Sequence, residues 1–390
     1  VIGSLKDKVA IIGTGVTKFG EIWDKDAEDL LVEAVHEACN EANIDPVKDV
    51  DGIWVATFYT FSGVGGTAFS EPLKIFGKPV TRVENYCASG MDAIRNAAIA
   101  VASGLYDIVI ACGVEKILDQ GARGLPGVGE MNPQPVLPRL SAPAMFALCA
   151  VRAFKVWGWT KEDLAKVAVK NHYNGYYHPK AHFRRKIDIE TALKAPIIAY
   201  PLGLYDCCAV SDGAAAVVLT RPEIARKLVG DEYAVIKGLG LAVETATPWL
   251  DPNFDFLGFP STRKAADMAY KMAGIEDPRK ELDFGIVHDC FTITELLDYQ
   301  DMRLCKPGEG ADLIREEVTT IHGDFPINPD GGLKCFGHPI GATGCRMVVE
   351  LTRQVLGRAE GLQVKDAEIG FAHNLGGPFS VASVIIVARK

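Results

Sequence analysis

Short apolar runs alternate with stretches of helical periodicity along the whole chain. KVAIIGTG (8–15) is followed by Ala27 to Ala42, with apolar residues at helical spacing, then by GIWVATF (52–58), an alanine-rich stretch after Cys87, and DIVIACG (107–113). Such runs between amphipathic segments predict buried strands alternating with helices, and so a layered α/β fold. A second series begins near Tyr233 with YAVIKGLGLAVET. It continues through a helix over Ser261 to Met272, the strand DFGIVHD, helices over Thr294 to Gln300 and Ala342 to Leu356, and a closing pair, EIGFAHN and SVASVIIVA.

The two series match in order. Each opens on an apolar strand leading into a glycine turn, and each later presents a reactive residue before a small-residue helix: Cys87 before ASG, His338 before PIGATG. This reads as an internal duplication, with halves over 1–230 and 231–390. Within the first half, about a hundred residues rich in Pro, Gly and aromatics, including LPGVGEMNPQPVLPRL and NHYNGYYHPKAHFRR, read as an inserted loop or lid over 114–207, the kind of segment that sets specificity.

With 48% hydrophobic and 23% charged residues, 390 residues can bury a large core. The net charge of -9 offers no electrostatic footprint for nucleic acid or an anionic membrane. No run of about 18 apolar residues marks a membrane span, and VIGSLKDKVAIIG lacks the pattern of a signal peptide. The ten cysteines are scattered, with no CxxC pair and no finger-like Cys/His spacing, so neither a disulfide framework nor a metal site is expected. Free thiols in this number suit the cytoplasm.

Four elements carry candidate chemistry. Cys87, where a strand gives way to a helix, lies in the positive field of the helix end, which is expected to lower its pKa from about 8.5. His288 and Cys290 follow the apolar strand Phe284 to Val287, where α/β folds place their sites. His338 stands on the glycine-dense stretch Asn328 to Gly344, whose many residues without a Cβ argue for close backbone approach. HNLGGPF (373–379) has adjacent glycines whose N–H groups could face an oxyanion. Each alone also reads as ordinary structure, whereas together they form a nucleophile, base, acid and donor set. GTGVTKFG (13–20) has its third glycine misplaced for a dinucleotide fingerprint.

YCASG around Cys87, YDCCAVSDGAAAVVL (205–219), HDCF (288–291) and GGLKCFGHPIGATG (331–344) resemble the thiolase family, in the branch of sterol-carrier-protein-type and archaeal acetoacetyl-CoA thiolases. The resemblance covers nearly the whole chain. It implies two similar βαβαβαββ halves in a five-layer αβαβα arrangement, with Cys87 on a central helix. It also implies that Cys87 attacks a 3-ketoacyl-CoA and that His338 takes its proton, in thiolysis of the β-oxidation type or the reverse Claisen condensation. Commoner thiolases carry Asn-Glu-Ala-Phe where this chain has HDCF, and a CxG cysteine where it has Asn374, Leu375 and Gly376. In this branch Cys290 takes the acid/base role, His288 and His338 hold the enolate oxygen, and the N–H groups of Cys87 and Gly376 hold the thioester oxygen.

By the same resemblance coenzyme A is a substrate and no cofactor is covalently bound. The core is expected as a homodimer or homotetramer, with a small zinc-ribbon/OB-fold partner subunit. Lys180, Arg184, Arg185 and Lys186 are candidates for the phosphates of CoA. The acyl group is acetoacetyl or, given Trp157, Trp159, Tyr173, Tyr176 and Tyr177 in the insert, an aromatic one such as benzoylsuccinyl. A ketoacyl synthase and a non-catalytic acyl-CoA-binding relative are the competing readings.

Overall fold

The computed structural model describes residues 4–121, 125 and 140–390. Its strands are β1 (Ala10–Val16), β2 (Gly52–Ala56), β3 (Val80–Val83), β4 (Ile108–Glu115), β5 (Ile197–Ala199), β6 (Leu202–Gly203), β7 (Gly213–Thr220), β8 (Ala234–Val243), β9 (Phe284–Ile286), β10 (Ile369–Gly376) and β11 (Val381–Arg389). The helices of ten or more residues are α1 (Ala27–Glu41), α2 (Ser89–Ala102), α3 (Ala142–Trp157), α4 (Lys161–Tyr177), α5 (Pro260–Ala273), α6 (Thr292–Asp301) and α7 (Ile340–Val355).

Nine strands form one sheet in the order β3-β2-β4-β7-β1-β8-β11-β10-β9. Its two parts are joined where Ala10 and Ile11 of β1 meet Val235 and Ala234 of β8, with Ile236 hydrogen-bonded to Val9 and Asp7 beside them. In the first part β2 runs parallel to β3 and β4, and β7 is antiparallel to both β4 and β1. The second part repeats this arrangement: β9 is parallel to β10, and β11 is antiparallel to β10 and β8. The counterpart of β3 has shrunk to one residue, Ile327, which bridges Gly285 in parallel. The duplication read from the order of apolar runs is therefore present in the strand order itself.

Five layers follow. Helix α1 covers the outer face of β1 and β7, and α5 covers β8 and β11. Between the two parts of the sheet lie α2 and α7, which touch each other; α7 packs on β4 and β7 on one side and on β10 and β11 on the other. The same device seats both outer helices. A Cβ on Gly15 of β1 would fall 2.0 Å from the Ala34 carbonyl oxygen, and one on Gly240 of β8 would fall 1.9 Å from that of Ala265. Every residue of α7 is buried, as expected of a helix with sheets on both sides. Its charged side chains are compensated, Arg346 by Asp330 and Arg353 by Glu37 and Glu360.

The insert differs from the loop expected over 114–207. It carries α3, α4, a short helix (Ile189–Lys194) and the β5–β6 hairpin. The Pro and aromatic content hid two regular helices whose buried residues, such as Met145, Phe146, Leu164 and Val167, belong to the main core. Most of LPGVGEMNPQPVLPRL lies outside the described residues. Trp159 is buried and its indole donates to the Gly308 carbonyl at 3.0 Å. Tyr173, Tyr176 and Tyr177 instead surround the Lys186 ammonium at 4.5 to 4.7 Å.

Candidate active site

The chain leaves β3, turns, and enters α2 with Ala88 as the N-cap. Cys87 thus stands one residue ahead of the N-cap, not in the helix's first turn. Tyr86 before it adopts φ +52°, a left-handed conformation that costs about 1–3 kcal/mol for a residue with a Cβ. Ser89 sustains the turn: its hydroxyl accepts from the Asn85 N–H at 2.8 Å and donates to the Tyr86 carbonyl at 2.5 Å. The result is a tight turn that leaves Cys87 Sγ within reach of His338.

Burial pushes the Cys87 thiol up to about 12, although backbone hydrogen bonds, that of Gly377 foremost, act in the opposite direction. This corrects the expectation of a lowered pKa. Loss of solvent outweighs the helix end, so the resting sulfur is a protonated thiol and its proton needs an acceptor within reach. That acceptor is in place, with His338 Nε2 3.3 Å from Cys87 Sγ.

His338 precedes α7 as Cys87 precedes α2. Its Nδ1 lies 2.7 Å from the Thr343 hydroxyl, which itself donates to the Pro339 carbonyl at 2.9 Å. Because that hydroxyl hydrogen is committed, the oxygen accepts from Nδ1–H. The lone pair is then on Nε2, facing the sulfur. Burial, aided by Arg346, holds this imidazole down to about 3, so it is neutral and able to accept a proton.

The helix tips meet because they carry no side chains in the way. A Cβ on Gly90 would fall 2.7–2.9 Å from the backbone of Cys345, Gly341 and Gly344. Glu115 fixes the same junction. Its buried carboxylate accepts from the Thr57 and Ser62 hydroxyls and from the N–H groups of Phe58, Tyr59 and Gly341, at 2.7–3.1 Å. Neither Glu115 nor Thr343 was singled out from the sequence. An acid closing an apolar strand, IVIACGVE, was the available signal for the first.

HDCF begins just beyond β9, which ends at Ile286 and so presents His288 at the sheet's end. The His288 and His338 rings meet edge to face at 5.2 Å, and one donor atom each from Cys87, His288 and His338 lies within 4.8 Å of the other two. Asn374 donates its amide N–H to His288 Nδ1 at 2.7 Å, which leaves the hydrogen on Nε2. Burial pushes His288 well below the usual imidazole range, with His338 contributing. Asp289 is structural: it accepts from the N–H groups of Leu333 and Lys334 and from Asn171, tying the glycine-rich segment to HDCF.

Cys290 is buried, 3.7 Å from the Thr294 hydroxyl, and its ionisation is pushed well up by burial and by the nearby Cys208 and Cys87. Gly376 lies beside Cys87, a Cβ there falling 2.9 Å from the Cys87 nitrogen. A cavity of about 470 Å³ is lined by Cys208, Phe291, Lys334, His172, Tyr205 and Arg185, among others. Cys208, which lines this cavity, feels the Cys87 thiol and is felt by that of Cys290.

Of the four cationic candidates only Arg185 lines that cavity. Lys180 is paired with Glu37 and Glu360, Arg184 donates to the Tyr176 carbonyl at 3.3 Å, and Lys186 sits among the tyrosines. None of the five aromatics named above lines it. Lys334, whose ammonium donates to the Cys207 carbonyl at 2.6 Å, is a second cation there that the sequence did not single out.

Among the described residues no helix is long and apolar enough to cross a membrane. Residues 9–223 match the family model "Thiolase, N-terminal domain" and residues 242–389 match "Thiolase C-terminal domain-like". The chain is 37% identical to an acetyl-CoA acetyltransferase of Methanothermobacter thermautotrophicus, over 98% of this chain and 99% of that one. It is 32% identical to the benzoylsuccinyl-CoA thiolase subunit BbsB of Thauera aromatica, over 96% of each. A solved structure titled "Ltp2-ChsH2(DUF35) aldolase" superposes over all of both chains with a TM-score of 0.85 at 25% identity.

Proposed function

The chain belongs to the thiolase family and is an acyltransferase, and on that premise we propose that it moves an acyl group between coenzyme A and Cys87, in thiolysis of a 3-ketoacyl-CoA or the reverse condensation. The observation that carries this reading is the 3.3 Å contact between Cys87 Sγ and a His338 Nε2 whose lone pair is directed at it.

As the Cys87 sulfur bonds to the 3-keto carbon, its proton passes to His338. The bond between carbons 2 and 3 then breaks, leaving acyl-Cys87 and the enolate of acetyl-CoA, which Cys290 protonates. CoA thiol, deprotonated in turn by Cys290, attacks the thioester and frees Cys87, which takes its proton back from His338. His288 Nε2–H and His338 stabilise the enolate oxygen, and N–H groups of Cys87 and Gly376 the thioester oxygen.

A short acyl group, with acetoacetyl-CoA as substrate, is favoured by the likeness to acetyl-CoA acetyltransferases. The apolar lining of the cavity by Phe291, Leu204 and Ile198 gives a benzoylsuccinyl-type ester its place as the second candidate. Arg185 is the cation we carry forward for CoA. We also propose a homodimeric or homotetrameric core in the cytoplasm, joined by a small zinc-ribbon/OB-fold subunit, since one relative is named as a subunit and one structural neighbour's title joins a second protein marked DUF35.

Mass spectrometry after addition of acetyl-CoA should find the acyl adduct on the peptide bearing Cys87. Cys87→Ala should abolish thiolysis, and Cys290→Ala should retain the adduct but lose turnover. Normal turnover by both variants would remove this mechanism.

A further inference from the structure

Cys87, His288 and His338 are far apart in sequence, so spacing rules for metal sites cannot register them, yet their donor atoms cluster within 4.8 Å. Zinc binds thiolate at about 2.3 Å and imidazole at about 2.0–2.1 Å, which places the donors of a tetrahedral site about 3.3–3.6 Å apart. Cys87 and His338 already stand at 3.3 Å, and His338 presents its Nε2 lone pair because Thr343 takes the Nδ1 hydrogen.

The obstacle is His288. With the Asn374 N–H on Nδ1, the ring nitrogen left free is a donor and cannot ligate. Asn374 holds the remedy, for it is wholly buried and its amide oxygen has no partner. If the amide turns over, that oxygen accepts from Nδ1–H and Nε2 becomes a lone-pair donor. Partners of this type commonly set the tautomer of a metal-binding histidine.

We propose that this pocket takes up one borderline-soft divalent cation, zinc or cobalt(II), on Cys87, His288 and His338, with Asn374 setting the tautomer, and that the ion and an acyl group on Cys87 exclude each other. The uptake goes beyond the acyl-transfer reading and is measured without turnover.

Cobalt(II) titrated into the whole chain should give a thiolate-to-cobalt charge-transfer band saturating at one equivalent. It should persist in Cys39→Ala, which removes a buried thiol of α1, and vanish or weaken at least tenfold in Cys87→Ala, His288→Ala and His338→Ala. Asn374→Leu should weaken uptake by about 10–100-fold, the usual cost of losing such a partner, and Asn374→Asp should restore or tighten it. Zinc should slow alkylation of Cys87 by iodoacetamide in the unaltered chain, a readout free of any folding defect in the variants. No cobalt–thiolate band, or a band unchanged in Cys87→Ala, would overturn the site. Uptake that is undiminished after treatment with acetyl-CoA, while Cys87 carries the acyl group, would overturn the exclusion. Absence of the adduct itself would count against the acyl-transfer reading and leave the metal site standing.

Discussion

Thr343 determines which nitrogen of His338 carries the hydrogen: its hydroxyl, held by the Pro339 carbonyl, accepts the Nδ1 hydrogen at 2.7 Å and leaves the Nε2 lone pair facing Cys87. Thr343→Val should release that constraint and lower kcat by at least about tenfold, up to the 10²–10⁴ that general-base catalysis supplies, with little change in KM. Thr343→Ser keeps the hydroxyl and should recover most of the rate. Equal losses in the two variants would mean that bulk, not the hydrogen bond, is what matters.

The neutral thiol–imidazole pair predicts an unusual pH profile. With His338 held at about 3 and Cys87 at about 12 by burial, neither group changes charge over the ordinary range. Alkylation of Cys87 should show no inflection near 6.5. An inflection there that disappears in His338→Ala would contradict the pairing.

Stability should fall on the acid side. Burial holds His338 and His373 down to about 3 and His172 to about 4, against about 6.5 in the unfolded chain. Between those values the unfolded state binds more protons, so stability present above about pH 6.5 is lost as pH falls toward the folded values. Each imidazole contributes about 1.4 kcal/mol per pH unit. Urea midpoints from pH 7 to 5 should decline, and His373→Gln should flatten the slope by about that amount.

Gly90→Ala should cost about 1–3 kcal/mol and most of the activity, because a methyl there pushes on the backbone of α7 and parts the tips that join Cys87 to His338. A denaturation midpoint unchanged from that of the original chain would show that the crossing has slack.

Period and order in the sequence were enough for the strands, the central helices and the duplicated plan, because a residue's position in a layered fold is set by which faces it must bury. YCASG, HDCF and GHPIGATG likewise marked Cys87, Cys290, His288 and His338. The sequence could not give the protonation of the pair. The helix end argued for a thiolate, whereas burial keeps the proton on sulfur, and burial is a property of the assembled layers. It also could not show that Lys180 is spent on Glu37 and Glu360, that Trp157, Trp159, Tyr173, Tyr176 and Tyr177 stay out of the cavity, or that Thr343 and Asn374 fix the two imidazoles. Each of those depends on a side chain meeting a partner from another element, through contacts that local patterning does not encode and only the packed tertiary structure decides.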